Sequence, residues 1–469
     1  MSLLDSRGVP LSTSNHVLLQ HYEHAVELSA SYFLDPLATI EKALEEDPTF
    51  ASGHCLRAGL AVMATDRNAT PLLEESVRAL EAPGARLNER ERAHAAAARA
   101  WLEGDFAGSI RRYGDILLDY PQDLLALQIA HVGDFYLGQS TMLRDRIAQV
   151  LTAWDPCAPG YSYVLGMYAF GLEETALYSR AEDAGRRALE LNPRDPWGVH
   201  AVAHVMEMQG RLRDGVEWLT SREQDWAVNN GFAFHNWWHL ALFHLDAGDA
   251  QQALELCDRR IRPNPTQVPL EMIDAGALLW RLELQGVNVS QRWAELASAW
   301  EHFAEHAYYA FNDVHAVMAF VGARRFDLVQ QCIAAMERAA NGAGTNAMMT
   351  RDVGLPVAQA LACFGMSQYE QAVELLIPVR TIASRFGGSH AQRDLLHLTL
   401  VEAALRAKRV RLARALIAER TQLKPSSPFN WGLTARVMEM AGDSAGALKA
   451  RENAQARRRA QFGAHRAVA

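Results

Sequence analysis

One polar position recurs along the chain at an interval that few architectures share. His54, His94, His131, Gly166, His200, His235, Asp274, Asp313, Asp352, Arg393 and Asn430 follow one another at steps of 34 to 41 residues. Between these positions the chain is mostly amphipathic at helical period, and strand-like alternation is weak. A period in the thirties belongs to two-helix units that stack, each burying its apolar face only on its neighbours. Eleven such positions predict an all-α, tetratricopeptide-like helical-hairpin solenoid of about eleven repeats, wound as a right-handed superhelix. A histidine or carboxylate held at one phase predicts one shared surface, the inner face of the first helix of each pair.

Punctuation agrees with this period. Gly104, Gly138, Leu172, Gly210 and Gly248 are spaced by 34, 34, 38 and 38 residues, and are expected at the hairpin turns. Second helices are expected to stop near Pro121, Pro193 and Pro378, because proline cannot continue a helix. The stretches 262–265 and 340–344 are rich in turn residues and read as longer loops over one face. No flexible linker divides the chain. The reading is therefore one continuous solenoid over 1–469, with capping helices at 1–50, repeats at 51–440 and a basic capping helix at 441–469.

At 469 residues the chain exceeds one ordinary hydrophobic core, a limit that stacked repeats escape. A formal net charge of −9 argues against nucleic acid as a partner of the whole chain. The basic stretch from Arg451 to Arg466 reads as a solvated helix end. Cys55, Cys157, Cys257, Cys332 and Cys363 are scattered without a paired motif and read as reduced, buried thiols. The N-terminus lacks a basic head followed by an apolar core. No apolar run of about 18 residues predicts a membrane span. The cytoplasm is the expected location.

The chemistry concentrates in two neighbouring first helices. In Trp197-Gly-Val-His200-Ala-Val-Ala-His204-Val-Met-Glu207, three polar side chains fall on one stripe, since residues four and three apart share a helix face. Phe234-His235-Asn236-Trp237-Trp238-His239 repeats the pair one unit later. Adjacent helix axes pack about 8–10 Å apart, so four imidazoles and a carboxylate can share a small volume. His200, His204, His235, His239 and Asp313 are the candidate catalytic residues. Glu207, Asn236, Trp238, Asp274, Asn312, His315, Arg351, Asp352, Gln392, Arg393 and Asp394 are candidate ligand contacts, with Trp197, Trp237 and Trp280 as further apolar walls. Each also has a plainer reading: His54, His94 and His131 as hydrogen-bonded structural residues, the tryptophans as core, the acid–base neighbours as inter-repeat links.

Two chemistries fit the cluster. Paired imidazoles near a carboxylate suit zinc, iron or manganese, although the spacing is not that of H-E-x-x-H and no residue is assigned to a metal. The same groups without metal suit general acid–base catalysis near neutral pH, with Arg351 or Arg393 holding an anionic group. No nucleophile motif or dinucleotide fingerprint occurs, and Gly387-Gly388-Ser389 is only a weak anion-binding signal. The leading expectation is a pocket for a small polar or anionic molecule, with hydrolysis or elimination as the chemistry. The alternative is a non-catalytic scaffold holding a peptide in the groove. A homodimer formed through a solenoid end or edge is a third reading.

The chain resembles the tetratricopeptide repeat protein 38 family. The similar stretches are Pro10-Leu-Ser-Thr-Ser14, His200 to Glu207, His235-Asn-Trp-Trp-His239, Gly286 to Trp293, Phe311-Asn-Asp-Val-His315, Arg351-Asp-Val-Gly-Leu-Pro356 and Gly387 to Asp394. They span nearly the whole chain in the family's order. The resemblance implies an all-helical repeat fold and carries no activity with it.

Overall fold

The computed structural model describes residues 2–463. Arg466 and the end of the expected C-terminal capping helix lie outside the described residues. A two-residue hairpin, β1 (Leu3–Leu4) with β2 (Pro10–Leu11), precedes the helices. Then come α1 (His16–Ser31), α2 (Pro36–Glu46), α3 (Ala51–Met63), α4 (Thr70–Leu80), α5 (Glu89–Leu102), α6 (Phe106–Asp119), α7 (Leu124–Tyr136), α8 (Ser140–Leu151), α9 (Tyr161–Glu173) and α10 (Tyr178–Leu191). They continue with α11 (Pro196–Met208), α12 (Leu212–Thr220), the short α13 (Glu223–Trp226), α14 (Ala233–Asp246), α15 (Ala250–Leu256), α16 (Pro269–Leu284), α17 (Ser290–Trp300), α18 (Ala310–Gly322) and α19 (Phe326–Ala340). The last are α20 (Thr345–Met349), α21 (Leu355–Gly365), α22 (Tyr369–Val379), α23 (His390–Arg406), α24 (Val410–Leu423), α25 (Pro428–Met440) and α26 (Ser444–Phe462). The protein is an all-α, tetratricopeptide-like repeat protein. No helix among the described residues is long and apolar enough to cross a membrane.

Each recurring polar position falls on a first helix or, for Asp352, on the wide turn that joins α20 to α21. First and second helices differ in burial because the first are packed on both sides. In α7 twelve of thirteen residues are buried, against eight of fourteen in α6. The inner helices are therefore apolar nearly all round, and a polar residue on one of them must find an internal partner.

A backbone signal marks every hairpin. Thr65, Gly104, Gly138, Ala176, Gly210, Gly248, Gly286, Arg324, Ser367, Lys408 and Gly442 sit at the turns with φ between 47° and 83°. Leu172, expected at the fourth turn, lies inside α9 instead. The turn residue is Ala176, and the Leu172 carbonyl accepts from the Leu177 N–H at 2.9 Å, closing the helix end. Pro378 is likewise inside α22, one residue before its end.

The chain packs as two compact units, with the division inside α11 between Val202 and Ala203. Unit 1 comprises residues 1–202, 224–232 and 342–348; unit 2 comprises 203–223, 233–341 and 349–469. In unit 1, α1 lies along the first helices. It packs on α3 and α7. Tyr22 accepts from Arg90 at 2.6 Å, Ser29 donates to Gln128 at 2.8 Å, Tyr163 bonds Glu27, and the Trp197 indole donates to the Ala30 carbonyl at 2.9 Å. The turn after Ala340 ends at Gly344, and the Thr345 N–H docks on the Gly104 carbonyl at 3.2 Å. In unit 2 the last hairpins return to the first. Ser426 bonds the Gln209 carbonyl at 3.1 Å, and the Leu212 N–H donates to Gln461 at 2.6 Å.

Candidate functional site

Within unit 1 the recurring histidines are absorbed into structure. His54 bonds the Pro48 carbonyl at 2.8 Å, stopping the turn after α2. His94 Nε2 bonds Asp123 at 2.8 Å, and the same carboxylate receives Arg90 at 2.6 Å and caps α7 through the Ala126 N–H at 3.1 Å. Burial lowers the His94 pKa, and the Arg90 charge, with the hydrogen bonds from His94 and Arg90, holds Asp123 far below the usual carboxylate range against burial. His131 sits edge-on to Phe170 and Trp197, and burial lowers its pKa to about 3. His200 packs its ring on Phe170 at 5.1 Å and Phe232 at 5.0 Å.

Unit 2 brings the rest of the predicted cluster together. The His204 and His239 rings lie 4.3 Å apart, and the His235 and His239 rings 4.8 Å apart. His239 Nδ1 is 2.8 Å from Glu207, and His235 Nδ1 is 2.7 Å from Asp274. An ionised carboxylate can only accept, so Nδ1 carries the proton in both rings and Nε2 carries the lone pair. Trp238 stacks on His235 at 5.3 Å, and the Arg281 guanidinium lies 5.4 Å from the same indole. His204 and His239 are fully buried and His235 is 7% exposed. Burial first, then the neighbouring rings and Arg281, hold His239 well below the ordinary histidine pKa. It is therefore neutral, although Glu207 touches it.

Other predicted contacts sit elsewhere in unit 2. On α18, Asp313 is 4% exposed and its Oδ2 has no hydrogen-bond partner. Burial raises its pKa to about 8. His315 donates from Nδ1 to the Phe311 carbonyl of its own helix at 2.8 Å, and burial lowers its pKa to about 4. Asn236 on α14 is 1% exposed with both amide atoms unsatisfied, and Asn312 is also buried. Gln392 closes a capping box with Ser389 at the start of α23, and Arg393 bonds the Gly388 carbonyl. Arg351 reaches the Ala340 carbonyl at 3.3 Å, and Asp352 bonds Arg385 at 3.0 Å. These last four are accounted for by local backbone and ion-pair contacts. Trp197, Trp237, Trp238 and Trp280 are all core residues, the Trp280 indole donating to Thr399 at 2.9 Å.

The cleft in unit 2 is larger than the histidine cluster and was only partly foreshadowed. Its apolar walls are Leu242, Leu245, Leu398, Val401, Phe429 and Leu433. Four acids, Glu207, Asp246, Asp394 and Glu402, face it together with four cations, Arg281, Arg420, Lys424 and Arg436. Asp394 bonds Arg420 at 3.2 Å and Glu402 bonds Arg436 at 2.9 Å. Arg281 spends its guanidinium on the Ala277 and Ala391 carbonyls, at 3.0 and 2.6 Å. Lys424 faces the cleft, and its charge acts on Asp246 and Asp394. Glu207 belongs to both places: it lines the cleft and bonds the buried His239. Sequence reading missed Arg281, Glu402, Arg420, Lys424 and Arg436: Arg420 and Lys424 lie on and just after a second helix, and the other three lie toward the C-terminal ends of first helices, beyond the recurring position itself.

The cysteines divide. Cys55, Cys257 and Cys332 are buried, with burial raising their pKa values, whereas Cys157 is exposed and Cys363 half-buried. All five are free thiols.

No known protein-family model matches the chain. Among solved structures it is similar to the human IFIT1 dimer with PPP-AAAA, at 13% identity over 83% of this chain and 94% of that one, with a TM-score of 0.35. A monomeric IFIT1 mutant with Gppp-AAAA is similar at 13% identity over 95% and 96% of the two chains, with a TM-score of 0.33. The APC/C hetero-tetramer Cut9-Hcn1 is similar at 11% identity over 97% of each chain, with a TM-score of 0.34.

Proposed function

We propose that the cleft of unit 2 binds a small zwitterionic or anionic molecule and that Glu207 and His239 move a proton on it. The observation that carries this reading is the double position of Glu207, on the cleft wall and on the buried imidazole. A carboxylate held by a neutral histidine is a competent general base, and the pair can return the proton as general acid. The acids and cations facing the cleft balance in number, which suits a ligand bearing both charges. Lys424, on the cleft wall, is the group that meets the ligand's carboxylate or phosphate. Hydrolysis or elimination is the reaction class that such a pair serves. Cytoplasmic residence and kinship with the tetratricopeptide repeat protein 38 family belong to the same reading.

The test is native mass spectrometry of the purified protein, followed by calorimetric titration with a panel of free amino acids and dipeptides. A hit should bind about ten- to a hundredfold more weakly to Lys424→Ala, the effect of one charged hydrogen bond. Glu207→Gln should keep binding and lose turnover. Equal affinity for wild type and Lys424→Ala would refute the assignment.

One observation favours a peptide scaffold instead. A second cleft adjoins the first and carries Arg436, Arg451 and Arg458. Together they could take an acidic peptide end. Such binding weakens steeply as salt rises, whereas a desolvated small-molecule site responds little.

A further inference from the structure

We infer that His204, His235 and His239 form a binding site for a late first-row divalent metal ion of the zinc class. The inference stands apart from the cleft ligand, since it rests on the buried rings. One ring nitrogen from each of the three lies within 4.8 Å of the others. Tetrahedral zinc with bonds of about 2.0–2.1 Å needs its nitrogens about 3.3 Å apart. The rings therefore close on an ion by a contraction of at most about 1.5 Å, within the reach of side-chain rotation.

The outer contacts are those that a metal site requires. His235 and His239 each present Nδ1 to a carboxylate, at 2.7 and 2.8 Å. That arrangement fixes the tautomer, points Nε2 inward and raises its basicity; it is how ligating imidazoles are oriented. Two independent helices, α14 and α11 with α16 behind, supply these parts, so the match does not follow from one local motif. Three nitrogens exclude the hard cations calcium and magnesium, which take oxygen, and favour zinc, cobalt, nickel or ferrous iron. The bond from Glu207 to His239 then places a cleft-lining carboxylate behind one ligand.

The experiment strips the full chain with chelator, then titrates it with Co²⁺ while recording visible d–d absorption, with Zn²⁺ back-titration and elemental analysis. One equivalent per chain is expected, displaced by Zn²⁺. It should vanish in His235→Ala and in His239→Ala, with folding checked by far-UV circular dichroism, and persist in His302→Ala, an exposed histidine. Asp274→Asn keeps the ligands and should weaken binding about 10–100-fold; it carries the test if the alanine variants do not fold. No Co²⁺ spectrum in wild type, or an unchanged one in both ligand variants, overturns the site. Lys424→Ala should bind Co²⁺ as wild type does, so failure of the cleft reading and failure of the metal reading are told apart.

Discussion

Asp313→Asn isolates the most perturbed acid of unit 2. Burial alone raises the Asp313 pKa to about 8, while the unfolded chain returns it to about 3.9. The folded state thus keeps a proton that the unfolded state has lost. Stability contributed by this group is complete below about pH 4 and falls as pH rises, until both states are ionised above about pH 8. Each pH unit is worth about 1.4 kcal/mol while the folded acid stays protonated. The buried histidines act in the opposite sense: His131, His239 and His315 have lowered pKa values, so their contribution is lost as pH falls below about 6.5. The window from pH 6.5 to 7.5 is therefore the cleanest. With a folded pKa near 8, Asp313 remains mostly protonated there, and wild type should lose about 1.2 kcal/mol relative to Asp313→Asn. A further loss of about 0.7 kcal/mol follows between pH 7.5 and 8.5. The subtraction also removes Asp195 of unit 1, whose pKa burial raises to about 7, because both proteins contain it. Denaturant unfolding of the two proteins at these three pH values, compared by midpoint at equal m, measures the difference. A difference constant with pH would mean that Asp313 is ionised when folded, and the account of its environment would fail.

Three further outcomes follow from named contacts. Asp123→Asn removes the charge that Arg90 and His94 share and should destabilise unit 1 by about 3–5 kcal/mol, read as a lowered denaturation midpoint. Ala176→Gly and Lys408→Gly relieve left-handed backbone at two hairpin turns and should each stabilise by about 0.5–1 kcal/mol, seen as a raised midpoint. Gly215→Ala should destabilise clearly, since a Cβ there meets the Phe243 ring at 2.2 Å; a neutral thermal shift would show that α12 and α14 can separate freely.

The repeat architecture was legible because its period is written in apolar spacing, and the eleven recurring positions all reach first helices or the turn before α21. The turns were only half legible. Six of the eleven left-handed turn residues are glycine, but Thr65, Ala176, Arg324, Ser367 and Lys408 are not. Stacking of the helix pair imposes that backbone whatever the side chain, and with no glycine at the fourth turn the 34-residue step from Gly138 falls on Leu172, four residues before Ala176. The pairs Glu207 with His239 and His235 with Asp274 were legible as neighbours at one phase. The cleft's cations were not, because Arg420 and Lys424 lie on and just after a second helix, away from the recurring first-helix position.

Phase along a repeat determines which way a side chain faces, but not what faces it. In unit 1 the first helices meet α1 and the capping carboxylate Asp123. There His54 and His94 find a backbone carbonyl and a carboxylate, and the Arg90–Tyr22 bond ties α5 to α1. Each of those two histidines has one such partner, although His94 Nδ1 has none, and His131 rests instead against the Phe170 and Trp197 rings. In unit 2, α11 and α14 present His204, His235 and His239 to one another. Each carboxylate there takes one ring's N–H and turns that ring's lone pair toward its neighbours. The ring centroids stand 4.3 and 4.8 Å apart, and that closeness is the geometry on which the proposed metal site rests. The same residue type at the same phase thus meets a backbone carbonyl or a capping carboxylate in one unit and other imidazoles in the other, and the difference lies in the helix that stands opposite.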